Sequence, residues 1–156
     1  MVATLSLEDI VAAVPDPELP MVTIADLGIL RGVSVEEGGQ VLVTITPTYS
    51  GCPAMDAIRT DIRRALAAAG HTDVEIRTRL SPAWTTDWMS ETAKRKLADV
   101  GIAPPGRSPV RLALSVRCPR CGSPDTQEIS RYGSTACKSF WRCRTCAEPF
   151  DHVKAI

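Results

Sequence analysis

Near the end of the chain, Cys118-Pro-Arg-Cys121 and Cys143-Arg-Thr-Cys146 form two C-x-x-C pairs separated by 21 residues. Each pair lets two thiolates on one tight turn reach a common ion at about 2.3 Å, and two such turns close a tetrahedral shell. The spacing therefore predicts a metal site, with zinc as the expected ion and Cys118, Cys121, Cys143 and Cys146 as its ligands. A closed shell implies a structural role. Two disulfides, or iron in a rubredoxin-like site, are the other readings of the same four residues. Cys137 lies between the pairs and is expected to be a small buried residue. His152 could ligate, but four thiolates already satisfy the ion, and the histidine is expected in solvent.

The sixth cysteine stands apart. Ser50-Gly51-Cys52-Pro53 falls where a strand and turn enter a helix, so the Cys52 sulfur sits by unpaired helix amides that stabilise negative charge. Gly51 leaves room for another molecule. Cys52 is read as a candidate functional thiol, against the plainer reading of a small residue at a tight junction. Several catalytic uses fail on spacing. A phosphatase loop needs arginine where Ile58 stands, and Arg59 falls one position later. His71 and His152 are the only histidines, neither beside Cys52 in sequence, and no phosphate-binding glycine fingerprint occurs. An enzyme is not expected. The carboxylates Asp16, Glu18 and Asp26 could approach Cys52 if the first loop packs beside the helix start; their ordinary use would be turn formation and capping.

These residues need elements to hold them. Ser6 followed by Asp9 makes a capping box before Leu7, Ile10, Val11 and Val14, predicting a short helix that Pro15 stops. Asp16-Pro17-Glu18-Leu19-Pro20 is a rigid loop, because each proline pushes its predecessor towards extended geometry. Leu27 to Val35 and Gln40 to Thr46 read as a β-hairpin around Glu36-Glu37-Gly38-Gly39. Pro53 suits a helix start, Met55, Ile58, Ile62 and Leu66 supply an apolar stripe, and Gly70 suits its end. Val74 to Leu80 alternates as a third strand, Ser90 to Val100 reads as a last helix, and Val110 to Val116 as a strand running into the first cysteine pair. Trp84 and Trp88 would share a face if their segment were helical, with packing as their default role. Three prolines and two glycines in 101–109 mark a linker. The expected division is a domain over 1–100, a linker over 101–110 and a metal module over 111–156.

Net charge is zero, but residues 1–100 stand at minus five and 101–156 at plus five. Four metal-bound thiolates and a divalent ion would lower the tail to about plus three, which weakens a nucleic-acid reading of Tyr132, Phe140, Trp141, Arg142 and Arg144. The first residues lack a basic leader and a long apolar run, so a cytoplasmic protein is expected. With no asparagine in the chain, a Cys-His-Asn triad is excluded.

Taken together, Asp16-Pro17-Glu18-Leu19-Pro20, Ile24-Ala25-Asp26-Leu27-Gly28-Ile29 and Thr44-Ile45-Thr46-Pro47 running into Gly51-Cys52-Pro53 resemble the metal-sulfur cluster biosynthesis family that includes SufT. The likeness covers about residues 5–100. In the tail, Cys118-Pro-Arg-Cys121, Gly133-Ser134-Thr135-Ala136-Cys137-Lys138 and Cys143-Arg-Thr-Cys146-Ala-Glu-Pro-Phe150 are similar to the zinc-ribbon branch of that family serving the bacterial phenylacetyl-CoA ring epoxidase. The resemblance implies an α+β fold: an iron-sulfur cluster assembly domain like the NifU C-terminal domain, with a small mixed sheet and helices, plus a small β zinc ribbon. It implies a non-enzymatic factor that assembles or delivers an iron-sulfur cluster, with epoxidase components as partners and the iron-sulfur reductase foremost. By the same analogy Cys52 is the functional thiol, Asp16, Glu18 and Asp26 are motif residues near it, and iron or a cluster visits Cys52 transiently. One thiol cannot hold a cluster, so a second copy of the chain, a partner cysteine or glutathione would complete the ligation. A non-catalytic scaffold role within the epoxidase complex is the competing expectation.

Overall fold

A computed structural model describes residues 5–106 and 116–156, and the chain divides into two compact units, Met1–Trp84 and Thr85–Ile156. The strand expected over 110–116 lies, except for Val116, outside the described residues.

The first unit opens with α1 (Leu7–Ala12), started by the capping box foreseen: the Ser6 hydroxyl accepts from the Asp9 N–H, and the Asp9 carboxylate accepts from the Ser6 N–H. The chain then turns instead of entering the sheet at Leu27. The Thr23 hydroxyl accepts from Asp26 N–H, the Asp26 carboxylate accepts from Thr23 N–H, and Gly28 adopts φ 75°. These local bonds offer the backbone an alternative to a ladder, which delays β1 to Leu30–Val35. It pairs antiparallel with β2 (Val41–Ile45), with an irregular register between Leu30 and Gly32. From β2 the chain crosses through α2 (Ala54–Ala68) to β3 (Val74–Thr78), which lies parallel to β2, matching Val41 with Val74 and Ile45 with Thr78. A parallel pair needs such a crossover, and the helix then covers the sheet.

The result is a mixed three-stranded sheet, ordered β1-β2-β3. Val41, Val43 and Ile45 on the central strand are at most 1 % exposed, and Ile58, Ile62 and Leu66 along α2 are fully buried. Burying each such side chain contributes about 1.5–3 kcal/mol, enough to fix which face of α2 points inward. Trp84 closes the unit: its ring is buried and its indole N–H donates to the Leu27 carbonyl at 2.8 Å.

The second unit begins at Thr85. The only regular structure between Trp84 and Trp88 is a 3₁₀ turn over Thr86–Trp88, so the two tryptophans belong to different units. Helix α3 (Glu91–Asp99) starts on Ser90, whose hydroxyl accepts from the Ala93 N–H. Sequence composition places this helix with the first domain. Its flanks instead bond to the chain end: the Thr86 N–H donates to the Ile156 carbonyl, and Ala103 exchanges bonds with Asp151 and Val153. Strands β4 (Thr126–Ser130), β5 (Lys138–Cys143) and β6 (Pro149–Val153) form an antiparallel sheet in that order. Ala103, Val116, Trp141 and Phe150 pack with Cys118 and Cys143 as a small buried cluster. Among the described residues, no helix is long and apolar enough to cross a membrane.

Candidate functional site

Two places gather chemistry, one in each unit. In the second, the four sulfurs of Cys118, Cys121, Cys143 and Cys146 all lie within 4.8 Å of one another. The turns that present them share one backbone pattern. The Cys118 N–H donates to the Ser123 carbonyl and the Cys143 N–H to the Glu148 carbonyl, each spanning five residues. The residue after the second cysteine is left-handed in both turns, Gly122 at φ 74° and Ala147 at φ 64°. The Ser123 and Thr145 hydroxyls, 2.8 Å apart, bond one turn to the other. Each turn offers one buried sulfur, Cys118 or Cys143, and one exposed sulfur, Cys121 or Cys146.

The sulfur separations discriminate between the readings. Cys118 to Cys146 is 3.7 Å and Cys121 to Cys143 is 3.6 Å, far beyond the about 2.05 Å of a disulfide. Tetrahedral metal–sulfur bonds of about 2.3 Å place sulfurs about 3.8 Å apart, so the donor set fits such an ion. The protons agree. The N–H of Cys146 on the Cys143 sulfur, aided by Thr145, draws that thiol down to about 7. For Cys146 the Glu148 N–H pulls down, but desolvation by the surrounding cluster and the bonds to the neighbouring sulfurs outweigh it and push the thiol up to about 12. Four ionised sulfurs at this range repel one another, and a divalent cation removes the repulsion while displacing the protons.

Cys137 lies outside this cluster, half-buried, with its sulfur 3.1 Å from the Thr135 hydroxyl. His152, expected in solvent, is instead half-buried: it meets the Trp141 ring edge-on, faces the Ser139 hydroxyl, and burial holds its pKa down at about 4.

In the first unit, Cys52 lies in the loop leaving the C-terminal end of β2. Open crevices at the carboxyl ends of parallel strands are where α/β units bind ligands, because loops diverge there and helices begin. Gly51 at φ 79° turns the chain sharply, a conformation that suits glycine. The Cys52 N–H donates to Tyr49, and its carbonyl accepts from Met55 as α2 begins. Pro53 caps the helix without a side-chain hydrogen bond. Cys52 is partly exposed and lines an open groove of about 360 Å³, walled by the first turns of α2 and by Thr78 and Leu80 at and beyond the end of β3.

Asp16, Glu18 and Asp26 do not line that groove. Asp16 is buried, its carboxylate accepting from the N–H groups of Glu18 and Leu19 at 2.9 and 2.8 Å; Asp26 ties down the Thr23 turn. Asp16 and Asp26 thus shape the loops ahead of β1, and Glu18 enters through its backbone N–H on Asp16. Asp56 and Arg59 do line the groove, and sequence reading did not place them there. The signal was present in their spacing, since Asp56 and Arg59, three apart, share a face in the first turns of the helix that Cys52 precedes. Arg59 reaches back to Asp56 at 2.9 Å and across to the Thr78 hydroxyl at 2.7 Å. Next to the groove-lining Pro47, the buried Thr46 hydroxyl has no hydrogen-bond partner among the described residues.

Comparison with known proteins matches both units. A family model described as iron-sulfur cluster assembly protein matches residues 7–77, and one described as PaaD zinc beta ribbon domain matches 103–154. A protein of Escherichia coli strain K12, named as a candidate component of the 1,2-phenylacetyl-CoA epoxidase, is 48 % identical over 149 residues, covering 94 % of this chain and 90 % of that one. The chain belongs to the PaaD family. Within that family's first unit the likeness extends further. An Fe-S protein maturation auxiliary factor of Porphyromonas gingivalis is 42 % identical over 94 residues, 58 % of this chain and 89 % of that factor. The crystal structure of a domain of unknown function, DUF59, from Bacillus anthracis superposes with a TM-score of 0.54 at 32 % identity, covering 58 % of this chain and 87 % of that one. The α+β assembly fold with an appended zinc ribbon is thus the fold of this chain.

Proposed function

We propose that this chain is a non-enzymatic assembly factor that receives iron or an iron-sulfur cluster on Cys52 and passes it to a component of a phenylacetyl-CoA epoxidase, the iron-sulfur reductase foremost. The observation that carries this reading is the placement of Cys52: a partly exposed thiol in an open groove at the carboxyl ends of two parallel strands, separate from the four-sulfur cluster. The relatives named as maturation factors support it. Iron and cluster sulfide favour soft thiolate ligands, and a single protein thiol gives the weak, exchangeable hold that a carrier needs. Asp16 and Asp26 act at one remove, by fixing the loops that precede the sheet, and Glu18 is a residue of the first of these loops. In the second unit Cys118, Cys121, Cys143 and Cys146 hold zinc, which supplies folding free energy to a docking module and takes no part in transfer. Cytoplasmic residence follows from the same reading.

The test is metal and sulfide analysis of anaerobically purified protein, wild type beside Cys52→Ser. One zinc per chain in both, iron and sulfide in the wild type only, and loss of reductase maturation with the variant is the expected result. The name of the Escherichia coli relative, which makes it part of the epoxidase itself, favours a second reading in which the chain is a scaffold of that complex. Full client activity with Cys52→Ser would sink the carrier reading and leave the scaffold.

A further inference from the structure

The groove beside Cys52 also holds a cation: Arg59, the sixth residue of α2 and seven positions after Cys52, lines it as well. Helical side chains lean towards the helix start, and Arg59 does so, since its guanidinium meets Asp56, three residues earlier. The cation is thereby carried back towards the thiol. Its orientation is fixed from two sides, by the Asp56 carboxylate at 2.9 Å and the Thr78 hydroxyl at 2.7 Å. Those contacts use two of the five N–H donors a guanidinium carries. The Asp56 side chain is 93 % exposed, so water screens it and the pair leaves most of the positive charge available. The groove therefore offers both a sulfur and an oriented cation with N–H donors to spare. Its volume of about 360 Å³ falls at the small end of the range for small-molecule sites.

We infer that this groove takes a small thiol that also carries a carboxylate, its sulfur beside Cys52 and its carboxylate on Arg59. The inference rests on the carrier reading of Cys52 and names what completes the ligation: iron bound by one protein thiolate needs further sulfur, and a cysteine-derived peptide thiol brings both groups. A neutral thiol would make no use of the Arg59 donors that Asp56 and Thr78 leave over. A cysteine on a protein partner would not need a cation at this spacing.

The test uses the full-length, metal-loaded protein and follows modification of Cys52 alone by peptide mass spectrometry. Iodoacetate and iodoacetamide share the reacting carbon and the iodide leaving group, and differ as carboxylate against amide. The iodoacetate-to-iodoacetamide rate ratio at Cys52 is expected to exceed that of the urea-unfolded chain about fivefold, the upper range for an exposed ion pair. It should fall to the unfolded value in Arg59→Gln, survive in part in Arg59→Lys, and decline in wild type at about 1 M salt, where the Debye length is about 3 Å. Reduced glutathione should protect Cys52 from iodoacetamide about fivefold better than cysteamine does, and lose that advantage in Arg59→Gln. A wild-type ratio equal to the unfolded one, or equal protection by both thiols, overturns the inference. The wild-type arms decide the matter even if Arg59→Gln does not fold. No readout involves iron, so failure of the carrier reading would appear in the metal analysis and leave the alkylation ratio untouched.

Discussion

Ala147 occupies the left-handed position that glycine fills at Gly122 in the matching turn. An L-residue held there costs about 1–2 kcal/mol, and glycine's extra freedom in the unfolded chain returns about 0.5–1 of it. Ala147→Gly is therefore expected to stabilise the metal-bound ribbon by about 0.5–1 kcal/mol, read as an apparent metal dissociation constant lowered about two- to fivefold in chelator competition. Gly122→Ala should move the constant the other way. His152 sets a pH dependence. Burial depresses its pKa from 6.5 to about 4, so between these values the unfolded chain binds a proton that the folded one does not. The contribution of neutral His152 is then complete above pH 6.5 and lost as pH falls towards 4, by up to about 3 kcal/mol. A urea midpoint that falls between pH 6.5 and 4.5 by the same amount in wild type and His152→Gln, ion in excess, would refute this. At this scale the sequence was most legible for cysteines, whose spacing declares them. Burial of His152 and the aim of Arg59 were not, because both depend on neighbours far along the chain: Trp141 and Ser139 for one, Thr78 for the other.

Helix α2 is the element that ties core to groove. Ile58, Ile62 and Leu66 are buried in the core, Asp56 and Arg59 line the groove, and the buried Met55 borders it too. Its position was readable because the apolar period, the leading proline and the trailing Gly70 all agree, and Gly70 does take φ 92°. Ile58 is fully buried, so Ile58→Ala should cost about 2–5 kcal/mol by lost transfer energy and an unfilled cavity. Arg64→Ala, removing an exposed pair with Asp61, should stay within about 0.5 kcal/mol. Urea denaturation of the two variants checks the contrast; similar midpoints would mean that the stripe does not anchor the helix. The parallel pairing of β2 with β3 was less legible than the strands themselves. Alternation reports which residues face inward, and the crossover through α2 decides direction.

For the whole molecule, the prolines and glycines of 101–109 suggested a boundary near residue 100, yet the units divide at Trp84 and Thr85. Local punctuation marked an irregular stretch, whereas the bonds of Thr86 and Ala103 to the last strand and chain end, which assign α3 to the second unit, have no local signature. The two units also differ in what closes them. The first buries aliphatic side chains from α1, α2 and the sheet. Around the three strands of the second, the described residues include a buried cluster of six, two of them cysteines of the four-sulfur site, apart from Ala93 and Leu97 buried along α3. With the ligands counted in the cluster itself, ordering of the strands is coupled to the ion, so its binding energy becomes folding energy. A strong chelator is therefore expected to abolish the tertiary signal of Trp141 and the exchange protection of amides in β5, while amides of β2 and α2 keep theirs. Zinc added back in excess should restore the ribbon, and mild acid should mimic the chelator because protons compete for the thiolates. Loss of protection in β2 at the chelator concentration that opens β5 would show that the two units fold as one, and that the ion stabilises the sheet beside Cys52 as well as the ribbon.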